Sequence, residues 1–311
     1  MESFWNSSNL LKIFIKWKWH IIAITLIGMV VIGGATYLIK PKFKSYAIVY
    51  PVNLGTFSEE SFSEQMIQIL QSREITDNIM RKYNLSEHYG VDSTYKHFQS
   101  TMYYLYSENV SISKTEYESV EIDVLDTDPK MAKNITNSII EFYNQKVREM
   151  HRLKLKEMMV LNEKHTQKWE GVKDSLQNRI HVLNNQYGIL DFESQVQKLT
   201  EGIYRSNGNK SLIKKAEAQL NNIKKYGAEF TFLNEKYWKS LELFFQYKLA
   251  LEQQKIEYKK EITYANIVTR PYASDNKYSP KRIPITLLGG LSIFALVILV
   301  IAFIENKRHN I

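Results

Sequence analysis

Asp126-Thr127-Asp128-Pro129-Lys130-Met131-Ala132 reads as the start of a helix, and the fold follows from how far that helix runs. At the N-cap, the Asp128 carboxylate can accept a hydrogen bond from an unpaired first-turn N–H. Pro129 suits the first helical position, where no backbone donor is needed and φ is already helical. Met131, Ile135, Ile139, Tyr143, Val147, Met150 and Leu153 then recur every three or four residues as one apolar stripe. The stripe resumes through Leu161, His165, Trp169, Val172, Leu176, Ile180, Leu183 and Tyr187, at the spacing of about 3.5 residues that coiled-coil packing uses. A helix of about sixty residues is about 90 Å long. No small globular domain buries such a rod, so the spacing predicts that most of it projects. Two or three ordinary helices, broken at Gly171 or near Asn184-Asn185, are the alternative.

Working outward, the longest apolar runs of the 311-residue chain lie near its two ends. Residues 21–39 and 283–304 are each uncharged and long enough to cross a bilayer. Two spans put both termini on one side and the polar middle on the other. Local charge does not orient them, because lysines flank both ends of both spans (Lys12, Lys16 and Lys18 against Lys40, Lys42 and Lys44; Lys277, Lys281 and Arg282 against Lys307 and Arg308). The first run is too long for a signal peptide and lacks a small-x-small cleavage site. Phe4, Trp5, Trp17 and Trp19, interleaved with Lys, suit a membrane interface. Small residues Gly28, Gly33 and Gly34 in the first span, and Gly289 and Gly290 in the second, offer faces for close helix packing in the membrane.

Between the spans, residues 45–51 (SYAIVYP) read as a strand and residues 58–83 as a helix starting near Ser61 or Ser63. A short helix follows over 94–105, then strands over 109–113 and 119–125; in the last, Val120, Ile122 and Val124 alternate with Glu121 and Asp123. After Tyr187 the pattern loosens through Gly188, Gly202 and Gly208, as at a distal turn. A second helical run from Leu212 to Ile262 has the spacing to pack back along the first, with Gly227 its expected interruption. A last strand, residues 265–269, rejoins the base before the basic, Pro-punctuated approach marked by Pro271, Pro280 and Pro284. The fold class is therefore α+β: a small base carrying a long helical hairpin, anchored by two membrane helices. Its divisions are a tail (1–20), first span (21–39), base (40–128), hairpin (129–262), return strand and basic segment (263–282), second span (283–304) and tail (305–311).

Chemistry-bearing constellations are missing from the sequence. The chain has no cysteine, its seven histidines share no ligand spacing, and no glycine-rich phosphate loop occurs. Asp123, Asp126 and Asp128 lack the glycine and distal Glu of a calcium loop. His88 and His97, flanking Asp92, read as residues of a hydrated loop. The acid pairs Glu59/Glu60 and Glu116/Glu118 read as exposed side chains rather than a catalytic couple. The reading predicts no enzyme, no cofactor and no metal. A net charge of +8 from basic residues alternating with acids, or clustered at the membrane ends, points to solvated faces and lipid headgroups rather than nucleic acid.

The order of elements resembles the bacterial polysaccharide co-polymerases, or chain length determinant proteins. Residues 122–137 (IDVLDTDPKMAKNITN) resemble the family's strand and helix start, with Asp128, Pro129, Ala132 and Asn137 in matching places. Tyr187-Gly188-Ile189-Leu190-Asp191 resembles a segment of its extended helical part. The approach to the second span resembles its proline motif, with Pro280-Lys281-Arg282 on the usual Pro-Lys-Arg and Pro271 and Pro284 beside it; Lys277 stands where many relatives have proline. The resemblance implies a non-enzymatic bacterial inner-membrane protein with both termini cytoplasmic and a large periplasmic domain. It also implies homo-oligomeric rings that engage a membrane polysaccharide polymerase and the growing lipid-linked glycan, setting the chain length of an O-antigen or exopolysaccharide. No kinase domain is expected after the second span. Composition and periodicity alone fit equally a two-span coiled-coil scaffold of an envelope export complex.

Overall fold

The computed structural model describes residues 7–53, 55 and 59–309; Phe4, Trp5 and Ser58 lie outside them. The elements in order are α1 (Ser7–Ala35), β1 (Lys42–Pro51), α2 (Phe62–Leu70), α3 (Arg73–Lys82), α4 (Leu85–His88), α5 (Phe98–Asn109), β2 (Val110–Lys114), β3 (Val120–Asp126), α6 (Pro129–Tyr187), α7 (Phe192–Arg205), α8 (Lys210–Lys259), β4 (Ala265–Thr269), β5 (Lys277–Ser279) and α9 (Arg282–His309). They form two compact units, residues 1–147 with 263–311, and residues 148–262.

In the first unit an antiparallel sheet runs β2-β3-β1-β4, and β5 also pairs with β1. Alternation decides its faces: Val120, Ile122 and Val124 are fully buried, as are Ala47 and Val49 of β1. The first stripe of α6 packs on this core, with Ala132, Ile135, Ile139, Tyr143 and Val147 all at most 1% exposed. Helix-period and strand-period apolar faces thus meet, the usual solution for an α+β layer. The predicted helix over 58–83 is two helices. The chain turns extended at Ser72 (φ −62°, ψ 144°), so α2 stops at Leu70 and α3 starts afresh. Ser61 caps α2 in a reciprocal box with Glu64. The helix expected over 94–105 begins later, at Phe98, because the Asp92 carboxylate takes the Thr94 N–H (2.8 Å) and holds a turn there.

Two helices of this unit, over windows Ile15–Ala35 and Arg282–Glu305, are long and apolar enough to cross a membrane. Only 11% and 22% of those windows is buried, unlike the core helix of a soluble domain. The first helix ends at Ala35 rather than running to residue 39. Thr36 turns its hydroxyl back to the Gly33 carbonyl (2.7 Å), and Tyr37 and Leu38 make turn bonds to Gly34 and Ala35.

In the second unit α6 continues unbroken past Gly171 to Tyr187, and α8 returns antiparallel to it. Arg152 donates to the Tyr258 carbonyl (3.2 Å), Asn162 to Gln254 (3.0 Å), Arg179 to Glu229 (2.7 Å) and Gln219 to the Tyr187 carbonyl (3.0 Å). His165 stacks on Tyr247 at 4.7 Å. The first stripe ends exposed, at Leu153, and the second begins exposed, at Leu161. The loosened region contains a helix, α7, capped by Asp191; Asn209 caps α8 by accepting from Ser211 and Leu212. Gly227 does not interrupt α8. It lies under the Phe192 ring, where any side chain would collide. Leu183, Ile189, Ile223 and Phe230 form the small core beneath.

Candidate functional site: the clasp between the spans and the base

Three groups of sequence-predicted residues fall in the first unit. At the start of α6, Asp128 accepts the Lys130 N–H (2.9 Å) and its carbonyl takes the Ala132 N–H (3.0 Å), so Pro129 occupies the first turn. Ala132 is fully buried, where a larger side chain would displace the sheet contacts; Asn137 is exposed.

The three aspartates turn apart. Asp126, buried, accepts both the Asp128 N–H (2.9 Å) and His88 Nε2 (2.9 and 3.0 Å). Asp123 faces Lys44 (2.7 Å), and Asp128 stays on its own helix. His88, read from sequence as a hydrated loop residue, is instead the partner that ties α4 to the head of the long helix. The adjacent Tyr89 phenol is pushed up to about 12 by burial, the Asp126 carboxylate adding to the effect.

The second group gathers around the start of α9. Pro271 and Pro280 are buried, and the Ser279–Pro280 peptide is cis. Lys277, Tyr278, Pro280, Lys281, Arg282 and Pro284 border a recess of about 310 Å³. The Arg282 guanidinium sits 3.8 Å from the centre of the Tyr37 ring, joining the end of α1's chain to the start of α9. Lys44 lies 5.7 Å from each of the Tyr46 and Tyr278 rings. Burial works against its charge, but the bond to Asp123 and nearby Glu121 hold its pKa above the ordinary lysine value. β5 places these residues by pairing Lys42 with Ser279 and Phe43 with Lys277.

The third group is the span glycines. A Cβ on Gly289 would lie 2.5 Å from Ile32 Cδ1, one on Gly290 2.7 Å from Met29 Cγ, and one on Gly28 3.3 Å from Ile293 Cγ2. Gly33 faces Thr286 at ordinary contact distance, whereas Gly34 faces open space. Gly28, Gly33, Gly289 and Gly290 therefore serve contact between the two apolar helices α1 and α9 of one chain, and Gly34 takes no part in it.

Beside misreading His88 as a loop residue, sequence reasoning passed over Asn144. Its Oδ1 accepts the backbone N–H groups of Tyr264 (2.6 Å) and Ala265 (3.1 Å), docking the returning strand on α6. The available signal was an asparagine, a poor helix former, beside the buried positions Ile140, Tyr143 and Val147. Among the described residues no three His, Cys, Asp or Glu side chains converge as metal ligands. What the arrangement does is mechanical: it fixes two apolar helices, a sheet and the head of a long helix to one another.

Residues 8–83 match the family model Wzz, chain length determinant protein. No curated protein matches the chain by sequence. A solved full-length bacterial polysaccharide co-polymerase is similar in fold, with a TM-score of 0.50 at 15% identity over 98% of this chain and 99% of that one. The Shigella flexneri lipopolysaccharide O-antigen chain-length regulator WzzBSF gives 0.34 at 12% identity over 75% of this chain and 99% of its own. A Wzz dodecamer gives 0.38 at 11%, over 76% and 100%. In residues 8–83 the chain is similar in sequence to the chain length determinant family, and over its length it has the fold of a solved full-length bacterial polysaccharide co-polymerase.

Proposed function

We propose that this chain is a non-enzymatic regulator of the inner membrane that sets the length of a lipid-linked surface polysaccharide, an O-antigen or an exopolysaccharide. The observation that carries the reading is the chain length determinant match over residues 8–83, which spans the first apolar helix, β1 and the first helices of the base. In this reading the apolar helices α1, up to Ala35, and α9 cross the membrane, both termini are cytoplasmic, and the base (40–128), hairpin (129–262) and return segment (263–282) are periplasmic. Asp128, Pro129, Ala132 and Asn137 at the start of α6, with Pro271, Pro280, Lys281, Arg282 and Pro284 before and at the start of α9, serve structure and assembly rather than chemistry. The chain works as a homo-oligomeric ring that meets the membrane polymerase and the growing glycan. Support for self-association comes from exposed apolar side chains on α8: Trp238, Phe245, Leu249 and Ile256, 58–61% exposed, recur at helical spacing.

A gel profile of surface and secreted polysaccharide tests the reading, in strains without the gene, with it restored, and with residues 153–251 deleted from its product. Loss of the modal length in the first and third, and recovery in the second, is the expected result. An unchanged distribution in the strain without the gene refutes it and favours the two-span export scaffold.

A further inference from the structure

The base carries two adjoining recesses to which the clasp gives no task. One, of about 450 Å³, lies between α3, α5 and the edge strand β2, with Gln71, Thr76, Tyr104 and Tyr106 on its walls. The other, of about 410 Å³, is bordered by Arg73, Asp77, Arg81, Asn84 and Gln99. Tyr103 lines both. Each volume falls within the about 300–1,000 Å³ usual for small-ligand sites.

The walls combine aromatic rings with polar and charged groups. Tyr103 is fixed: Arg73 Nε donates to its hydroxyl (2.9 Å), that hydroxyl donates to Asp77, and the Arg73 guanidinium lies 5.2 Å from the ring centre. Tyr104 is 61% exposed and free to offer a ring face. Tyr106 is only 8% exposed and lines the first recess, its hydroxyl directed toward Thr76 on the same wall.

Aromatic faces flanked by amide, hydroxyl, carboxylate and guanidinium groups match one ligand class. A pyranose ring shows C–H faces that stack on aromatic rings and a rim of hydroxyls that pair with donors and acceptors. An added β-strand fits less well, because the Gln71 amide already occupies the Ile112 carbonyl of the edge strand (3.3 Å).

We propose that the two recesses, joined through Tyr103, form a saccharide-binding groove that holds a short segment of the polymer. The identity of that polymer rests on the function proposed above; the binding of a saccharide does not. The test uses the full chain in detergent micelles, titrated with repeat-unit oligosaccharides released by mild acid from the producing strain's surface polysaccharide, and followed by calorimetry and saturation-transfer NMR. Saturable binding is expected. Tyr104→Ala and Gln99→Ala, both at exposed positions, should each weaken it about tenfold, and Tyr117→Ala, exposed and away from the groove, should not change it. No saturable binding up to millimolar oligosaccharide, or parent-like binding by both groove variants, overturns the proposal. Loss of modal length in the strain lacking the gene, beside parent-like binding by those variants, overturns the groove and leaves the functional reading standing. Groove-dependent binding with an unchanged distribution in that strain does the reverse.

Discussion

Gly227→Ala separates helix propensity from packing in the second unit. In an open helix interior, alanine is favoured over glycine by about 0.8–1.0 kcal/mol. Gly171 and Gly202 meet that condition, because a Cβ placed on either finds nothing within 4 Å. At Gly227 the same atom would lie 2.5 Å from Phe192 Cε2 and closer still to Cδ2. The ring must then leave α8, although it stands at the first position of α7, directly after the Asp191 cap. Overpacking of this kind costs about 1–3 kcal/mol. Set against the propensity gain, Gly227→Ala should loosen α7 by about 0–2 kcal/mol, while Gly171→Ala tightens its own segment. Hydrogen exchange of the full chain in micelles reads this locally, since about 1.4 kcal/mol is a tenfold change in opening constant. In a Phe192→Ala background the obstruction is gone, and Gly227→Ala should recover the helical gain, a coupling that a double-mutant cycle measures. If Gly227→Ala alone raises protection of residues 192–205 as much as Gly171→Ala does around position 171, the account of that glycine is wrong.

Three other outcomes follow from the first unit. His88→Ala removes the partner that spans both oxygens of the buried Asp126 carboxylate, and should cost about 1–3 kcal/mol, seen as faster amide exchange in α4 and the first turn of α6. Tyr89 keeps its proton in the folded base up to about 12 but loses it near 10.0 when unfolded. Its contribution is therefore full below pH 10 and is lost as pH rises toward 12, at about 1.4 kcal/mol per pH unit; Tyr89→Phe should flatten that part of an alkaline unfolding curve. Because the chain has no cysteine, Ile32→Cys combined with Gly289→Cys gives a clean probe of the spans. Oxidation should produce a cross-link within one chain, and a dimer-only ladder on a denaturing gel would contradict the packing of α1 on α9.

What the sequence made legible were the elements whose signal is periodic. The stripe from Ile135 to Val147 and the alternation of Val120, Ile122 and Val124 each state both an element and its buried face, and α6 begins and ends where the Asp-Pro start and the Tyr187-Gly188 break place it. Gly227 misled because glycine in a helix has two meanings, a weak point or room for a neighbour. Only the position of Phe192, thirty-five residues earlier, decides between them. Leu153 and Leu161 continue a stripe whose burial depends on which turn of the returning helix lies opposite, and spacing along one helix does not carry that information. His88 and Asp126 stand thirty-eight residues apart with no pattern between them, so a pair that ties α4 to the long helix looked like loop chemistry.

The least legible element has the largest mechanical consequence. Lys277-Tyr278-Ser279 has neither the length nor the alternation of a strand, yet as β5 it pairs with Lys42 and Phe43 at the head of β1. β1 begins seven residues after α1 ends, and α9 begins three residues after β5 ends. The two apolar helices are therefore joined twice, by glycine-mediated contact along their length and by a short ladder beyond their ends, with Arg282 over Tyr37 between the two. β1 passes the constraint on, because its other edge pairs with β3 from Phe43 to Val49, and β3 runs directly into Asp126 and the start of α6. A rotation of one span against the other must then either break the β1–β5 pairing or carry the sheet, and with it the head of the long helix. The route is short and hydrogen-bonded, and it runs within the first unit from the two apolar helices to the first turns of α6.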